Sequence, residues 1–290
     1  MPVPVVFLGT PPAAVTVLDA LVAAGHPVPL VVSRPDARRG RGGATSPSPV
    51  KARALELGLQ VTDDLAALRT TDFPGGAIGV VVAYGRIIPA DILGRLPMLN
   101  VHFSLLPRWR GAAPVERAIL EGDTETGVCI MAMEEALDTG AVYARESVPI
   151  TGTVTAADLT HELAVIGARL MCGVIAGPIP VPAPQTGEHT YARKITAEDT
   201  IINWNEPWER TLRRIRAVTA HTFFGGRRLR VLAAEPSGTV PPCGQMDDRG
   251  NVGTVDGAVR LLKVQPEGKQ PMDTADWLRG LQATFPVNLG

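Results

Sequence analysis

Val3 to Leu8 is an apolar run of strand length, and it passes through Gly9-Thr10-Pro11 into a segment of helical apolar spacing that ends near Gly25. Val28 to Val32 follows as the next strand. Strand, turn, helix and strand with short connections make a right-handed βαβ unit, which belongs in a parallel sheet covered on both faces. The pattern continues with a helix from about Pro49 to Leu57, a strand from Ala77 to Ala83, a short helix after Pro89 and a strand ending at His102. Ala112 to Glu121 reads as helix, Thr126 to Met133 and Ala141 to Ile150 as strands, and Thr155 to Ala176 as a long amphipathic helix. The expected class is α/β, with a doubly wound, mostly parallel sheet.

Gly177-Pro178-Ile179-Pro180-Val181-Pro182-Ala183-Pro184 interrupts this order. Alternate prolines favour an extended, semi-rigid spacer. We therefore expect a first domain over residues 1–176, a proline-rich linker and connecting segment over 177–203, and a second domain over 204–290. Past the linker, a helix from Pro207 to Ala220 precedes short glycine-punctuated strands at Arg228–Ala233, Val252–Val255 and Val259–Val264, then a short helix from Asp273 to Gly280. That pattern predicts a small β-barrel or open sheet.

A formal net charge of -1 gives the chain no overall field toward a polyanion, so nucleic-acid binding would have to come from local clusters. Cys129, Cys172 and Cys243 are odd in number and lack Cys-x-x-Cys spacing, which speaks against a disulfide framework and against a zinc site. Met1 to Ala14 is a poor secretory signal, and no apolar run reaches the ~18–20 residues of a membrane span. A cytoplasmic protein with no membrane association is the expectation, and a monomer is the default.

Chemistry gathers in Asn100-Val101-His102-Phe103-Ser104-Leu105-Leu106-Pro107-Arg108-Trp109-Arg110-Gly111, read with Leu137-Asp138-Thr139-Gly140. On a strand, Asn100 and His102 project from one face with roots about 6.6 Å apart, leaving room for one small reacting group. Each residue has a plain alternative: a strand-end cap, a satisfied core histidine, a turn aspartate. Position favours chemistry, because open α/β sheets bind ligands beyond the carboxyl ends of their strands. Amide, imidazole and carboxylate would then supply a donor, a proton-transfer group and an orienting acid. Asp138-Thr139-Gly140 also spells the aspartic-protease triplet, but one copy in an α/β chain supplies no second aspartate. Gly9-Thr10-Pro11 lacks the G-x-G-x-x-G series and reads as a tight βα turn.

Arg34-Pro35-Asp36-Ala37-Arg38-Arg39-Gly40-Arg41-Gly42-Gly43 is the strongest basic run. By itself it fits a solvated loop as well as a phosphate-binding one. Further clusters at Arg213, Arg214 and Arg216 and at Arg227, Arg228 and Arg230 tilt the reading toward an RNA-sized partner.

These pieces, together with Phe7-Leu8-Gly9-Thr10-Pro11, Val81-Val82-Ala83-Tyr84-Gly85, Tyr191-Ala192-Arg193-Lys194-Ile195 and Gln265-Pro266-x-Gly268-Lys269, resemble the methionyl-tRNA formyltransferase family over nearly the whole chain. The resemblance implies a Rossmann-like catalytic domain and a C-terminal, OB-like tRNA-binding barrel. It also implies 10-formyltetrahydrofolate as donor, no metal, and the methionine α-amino group of initiator methionyl-tRNA as acceptor. By match, Asn100, His102 and Asp138 are the catalytic set, with Asp138 holding His102 charged and oriented. Ser104, Leu105, Leu106, Pro107, Tyr84, Gly85 and Ile87 border the folate, and Arg38, Arg39, Arg41, Arg108 and Arg110 engage tRNA. The Asn-x-His and Asp-Thr-Gly set is shared with sugar formyltransferases, so transfer to an amino sugar nucleotide is the alternative, and a non-catalytic RNA-binding protein is a third. Phe103 stands where many relatives carry glycine and is expected to narrow the donor pocket. Gly42-Gly43-Ala44-Thr45 replaces lysines found in others.

Overall fold

A computed structural model describes residues 2–38, 45–281 and 283–290. The chain forms two compact units, one comprising residues 1–114, 125–149 and 158–192, the other 115–124, 150–157 and 193–290.

In the first unit, β1 (Val5–Gly9) leads into α1 (Pro12–Ala23), which buries Ala14, Val17, Leu18 and Leu21. That spacing is one helical face, and each fully buried large side chain adds about 1.5–3 kcal/mol by leaving water. Gly9 is required by closeness: a Cβ there would lie 2.8 Å from both the Ala14 Cβ and the Phe7 ring. β2 (Leu30–Val32) is followed by the small pair β3 (Ala37–Arg38) and β4 (Thr45–Ser46), then α2 (Pro49–Glu56) and β5 (Val61–Thr62). Ser48 caps α2 by accepting the Lys51 N–H, and it shares a hydrogen bond with Ser33, whose hydroxyl donates to the Gly9 carbonyl. Three segment ends are thereby pinned at one buried point.

α3 (Ala67–Thr70), β6 (Ile78–Val82), α4 (Ala90–Leu93), β7 (Met98–His102) and the two-residue β8 (Arg110–Gly111) follow. After α5 (Pro114–Glu121), β9 (Glu125–Ala132) and β10 (Val142–Pro149) complete a seven-stranded sheet in the order β10-β9-β7-β6-β1-β2-β5. The five earlier strands of this sheet are parallel; β9 runs antiparallel to them, and β10, antiparallel to β9, returns to their direction. Strand order reverses between β1 and β6, where α/β sheets open toward ligands at their carboxyl ends, and β7 lies one strand further on. The long α6 (Ala156–Ile175) covers one face, with Gly167 packed against Val101 and Val128.

The proline-rich segment differs from a free spacer beyond residue 182. Ala183 exchanges two backbone hydrogen bonds with Val142, and β11 (Tyr191–Ala192) pairs in parallel with β8. The first unit accordingly extends through Ala192, well beyond the expected end at 176, because the segment's backbone groups find partners there. Val181 is 95% exposed, so only the stretch before 183 retains spacer character.

In the second unit, α7 (Trp208–Ala217) precedes a seven-stranded antiparallel sheet of β12 (His221–Phe224), β13 (Arg227–Pro236), β14 (Gln245–Met246), β15 (Asn251–Gly253), β16 (Ala258–Pro266), β17 (Met272–Asp273) and, after α8 (Thr274–Arg279), β18 (Val287–Asn288). Irregular register between β13 and β16 at Ala233 and Ala234 bends both strands, the device that curls a sheet toward a barrel. Leu229, Val231, Met246, Val259, Leu261 and Val264 face a core shared with Trp204, Ile215 and Trp277. Arg117 of α5 is buried and holds Asp199 through two hydrogen bonds of 2.8 and 2.7 Å, while donating also to the Arg193 and Lys194 carbonyls. These bonds hold the Asp199 carboxyl well below the usual carboxylate range, the Arg117 side-chain hydrogen bond being the largest cause.

Candidate active site

Asn100 and His102 share the face of β7 opposite to α6, one at the register position between Val81 and Met131, the other opposite Cys129. Val101 and Phe103 take the other face: the Phe103 ring lies 3.9 Å from where a Cβ at Gly167 would sit. Phe103 is thus a buried packing residue under α6, and the expected narrowing of a donor pocket is not where its ring points. The Asn100 side chain, half-buried, makes no hydrogen bond among the described residues, so its amide is available to a ligand.

His102 is 5% exposed, and its Nε2 lies 2.9 Å from the Trp109 carbonyl. A carbonyl only accepts, so the proton resides on Nε2 and Nδ1 is the nitrogen left for chemistry. Nδ1 faces Asp138 Oδ2 at 3.7 Å, beyond hydrogen-bond range but close enough for strong charge interaction. The Asp138 oxygen instead accepts the Gly111 N–H at 2.7 Å. Orientation of the imidazole therefore comes from Trp109, not from the aspartate as expected.

The backbone around this group is strained. Ala83, Trp109 and Asp138 are the non-glycine residues with positive φ among those described, at 45°, 62° and 53°. Such conformations cost about 1–3 kcal/mol each and persist where surrounding structure imposes them. Two belong to residues that touch His102 or face it; the third follows β6.

The residues expected to border a folate divide into surface and scaffold. Ile87 is 86% exposed, an isolated apolar surface beside Gly85, whose carbonyl accepts from Arg34. Leu105 and Pro107 are half-buried. Leu106 packs with Cys129, Met131 and Val142, and the Ser104 hydroxyl donates to the Arg108 carbonyl, closing the loop internally. Tyr84 turns its ring into the apolar cluster of Leu8, Leu68, Ile92 and Met98, its buried hydroxyl without a hydrogen-bond partner among the described residues; its backbone carbonyl accepts from Thr10. Burial pushes the Cys129 thiol up to about 11, so this neighbour of His102 stays neutral.

The arginines divide as well. Arg38 is exposed on β3, whereas Arg39 and Arg41 lie outside the described residues. Arg108 is exposed, with its guanidinium 4.5 Å above the Trp109 ring. Arg110 is half-buried and committed to the Gln185 side-chain oxygen at 3.1 and 2.7 Å. In the second unit, Arg227, Arg228 and Arg230 are exposed along β13, while Arg214 is tied to Glu206 and Arg216 to the Thr151 and Val154 carbonyls.

Sequence reasoning missed Gln185 and Thr190. Gln185 donates to the Asp138 and Gly140 carbonyls, and Thr190 accepts the Trp109 N–H at 2.9 Å. Their signal was hidden in a segment whose composition reads only as spacer. Among the described residues, no group of three or more His, Cys, Asp or Glu side chains is placed to hold a metal, and no helix is long and apolar enough to cross a membrane.

Comparison with known proteins brings in two family profiles: "Formyl transferase" matches residues 3–175, and "Formyl transferase, C-terminal domain" matches residues 194–282. A methionyl-tRNA formyltransferase from Methylobacterium nodulans is 44% identical over 97% of both chains. Another from Roseobacter denitrificans is 45% identical over 95% of both. Among solved structures, HypX from Aquifex aeolicus in complex with tetrahydrofolic acid aligns at a TM-score of 0.67 and 19% identity, over 96% of this chain and 47% of that one. The sugar 3N-formyl transferase WlaRD aligns at 0.67 and 17%, over 93% and 100%. At those identities the structures speak for the fold.

Proposed function

The chain belongs to the formyl transferase family, and from that premise we propose that it transfers the formyl group of 10-formyltetrahydrofolate to the α-amino group of methionine on initiator methionyl-tRNA. The carrying observation is the strand-end arrangement of Asn100, His102 and Asp138 in a chain 44% identical to a methionyl-tRNA formyltransferase along its length.

Asn100 has an uncommitted amide on the His102 face, suited to donate to the formyl oxygen as negative charge develops there. His102 Nδ1, the nitrogen not engaged by Trp109, accepts the proton that the amine must lose as the new C–N bond forms. The same nitrogen returns that proton to the departing folate nitrogen as the old C–N bond breaks. Asp138, 3.7 Å away, stabilises the imidazolium that exists between those transfers. Ile87, Gly85, Leu105 and Pro107 supply the accessible border for the donor's ring, while Ser104, Leu106 and Tyr84 hold that border in shape. Arg38, Arg39, Arg41 and Arg108 grip the tRNA backbone, and the Arg227, Arg228 and Arg230 row of the second unit adds to that grip. Arg110 serves in positioning instead, since its guanidinium is already engaged. On this reading the first unit, which runs through Ala192, holds the chemistry and residues 204–290 bind tRNA, in a monomer working in the cytoplasm.

The test offers the protein 10-formyltetrahydrofolate with either charged initiator tRNA or an amino sugar nucleotide and follows formyl transfer. Formylated methionyl-tRNA is expected; transfer to the sugar alone, or to neither, refutes the reading.

A further inference from the structure

Among the described residues, one short stretch, residues 185–190, hydrogen-bonds to both sides of the pair: to the Asp138 loop and to the backbone at Trp109. Gln185 uses its whole hydrogen-bonding capacity. Both amide hydrogens donate, to the Asp138 carbonyl at 2.9 Å and the Gly140 carbonyl at 2.8 Å, and the side-chain oxygen accepts from Nε and Nη2 of Arg110. The orientation of the amide is unambiguous, because carbonyls only accept and a guanidinium only donates. Arg110 precedes Gly111, whose N–H binds the Asp138 carboxylate. The aspartate is thus held at its side chain by Gly111 and at its backbone by Gln185, with Arg110 joining the two. The left-handed φ of 53° at Asp138 is a conformation that needs such restraint.

Thr190 does the corresponding work on the histidine side. Its hydroxyl oxygen accepts the Trp109 N–H at 2.9 Å, and its carbonyl accepts the Arg110 N–H at 2.9 Å. These two bonds clamp the peptide units around Trp109, whose φ of 62° aims its carbonyl at His102 Nε2.

We propose that Gln185 and Thr190 are positioning residues for catalysis: Gln185 sets Asp138, and Thr190, through the Trp109 carbonyl, sets the tautomer and angle of His102. The proposal rests on formyl transfer as the reaction of this site. Neither residue touches the reacting atoms; each acts through one that does. Misplacement of a reacting group by about 1 Å costs on the order of 100-fold in rate, which sets the scale of the expected effect.

The experiment compares Gln185→Met, Gln185→Glu and Thr190→Val, each close in size to the original, in the full-length protein. Gln185→Glu keeps an acceptor for Arg110 but has nothing to donate to the two carbonyls, so it separates the Arg110 link from the Asp138 link. All three should lower kcat by about 10- to 100-fold while KM for the folate donor and for tRNA moves less than about 3-fold. Because Gln185 acts through Asp138, Gln185→Met should add almost nothing in an Asp138→Asn background, measured by single-turnover kinetics. A general folding defect would multiply the two losses. Independently of activity, amide exchange at Gly111 should accelerate in Gln185→Met, because its acceptor is released. Multiplicative losses, a Gln185→Glu protein of normal kcat, or unchanged Gly111 exchange would each overturn the proposal. A wild-type protein inactive in formyl transfer whose Gly111 exchange still responds would refute the function and retain the positioning role of Gln185.

Discussion

Replacing Asp138 with asparagine tests the charge while sparing the shape. The amide oxygen can still accept the Gly111 N–H, so the loop keeps its anchor, and the change in folding stability should stay within about 1 kcal/mol. What disappears is a negative charge 3.7 Å from His102 Nδ1, between side chains only 6% and 13% exposed. Two unit charges at that distance attract by about 1 kcal/mol in a water-like medium and by about 4–5 kcal/mol at an effective dielectric constant near 20. The geometry at His102 is mostly dry, which places the expected loss toward the upper part of that range. Because the attraction exists only while the imidazole is protonated, it lowers the barrier and leaves substrate binding alone. The expected result is a fall of about 100- to 1,000-fold in kcat. Tm and the Kd for initiator tRNA should be nearly unchanged. Rapid-quench measurement of formyl-methionyl-tRNA separates the chemical step from product release. A chemical step within about 3-fold of wild type would show that Asp138 does not stabilise a charged His102, and the proton route described above would fail with it.

Substituting alanine for Arg38, Arg39 and Arg41 together should weaken tRNA binding and flatten its dependence on salt, by roughly 0.7–0.9 in the log–log slope for each phosphate left unneutralised; an unchanged slope would leave the loop a solvated surface. Cys129, with its folded-state value raised to about 11, contributes stability that is complete below the ordinary thiol pKa and is lost as pH rises through that folded value, about 2–3 kcal/mol between pH 9 and 11. Denaturant titrations of Cys129→Val across that window should lack the slope, and an identical slope would assign it to another group. Arg117→Met should cost about 1–3 kcal/mol by leaving the half-buried Asp199 carboxylate without its cation. In the wild type the Asp199 contribution is present above the ordinary carboxylate pKa and fades as pH falls below about 4, so urea titrations of the variant should lose part of that acid dependence. A variant as stable as wild type at pH 7 would contradict the pairing.

The strand end bearing Asn100 and His102 could be read from the chain because a period of two and a position after an apolar run are local properties. The same parity, carried one residue further, puts Phe103 with Val101 and away from His102; the expectation that it narrows the donor pocket rests on the glycine of relatives and points to the wrong face. Asp138 was visible through its Asp-Thr-Gly turn, but its real partner, the Gly111 N–H, was not, since a backbone donor carries no residue signature. Tyr84 was misleading for a related reason: its ring lies in the core and only its main chain reaches the site's side. Gln185 and Thr190 were illegible because pairing of β8 with β11 spans some eighty residues of sequence and involves two residues on each side. The β-rich second unit was legible as a class from its glycine-punctuated strands, whereas β12, β14 and β18 are too short or irregular to announce themselves.

The order in which the chain visits its two units has a consequence for how the protein can be taken apart. Residues 115–124 and 150–157 belong to the second unit although they precede its main body in sequence, so no single cut in the gene yields both units whole. An expressed fragment ending at Ala192 would carry orphaned pieces of the other unit, and one starting at Arg193 would lack Arg117 and the carbonyls of Thr151 and Val154 that engage Arg216. A protease that nicks the exposed chain at Val181, by contrast, would leave residues 183–192 hydrogen-bonded where they are. Such a protein would run as two bands in denaturing gels and keep its imidazole and carboxylate in register. Dissection by nicking, not by truncation, is therefore the route to asking what each part of the chain does.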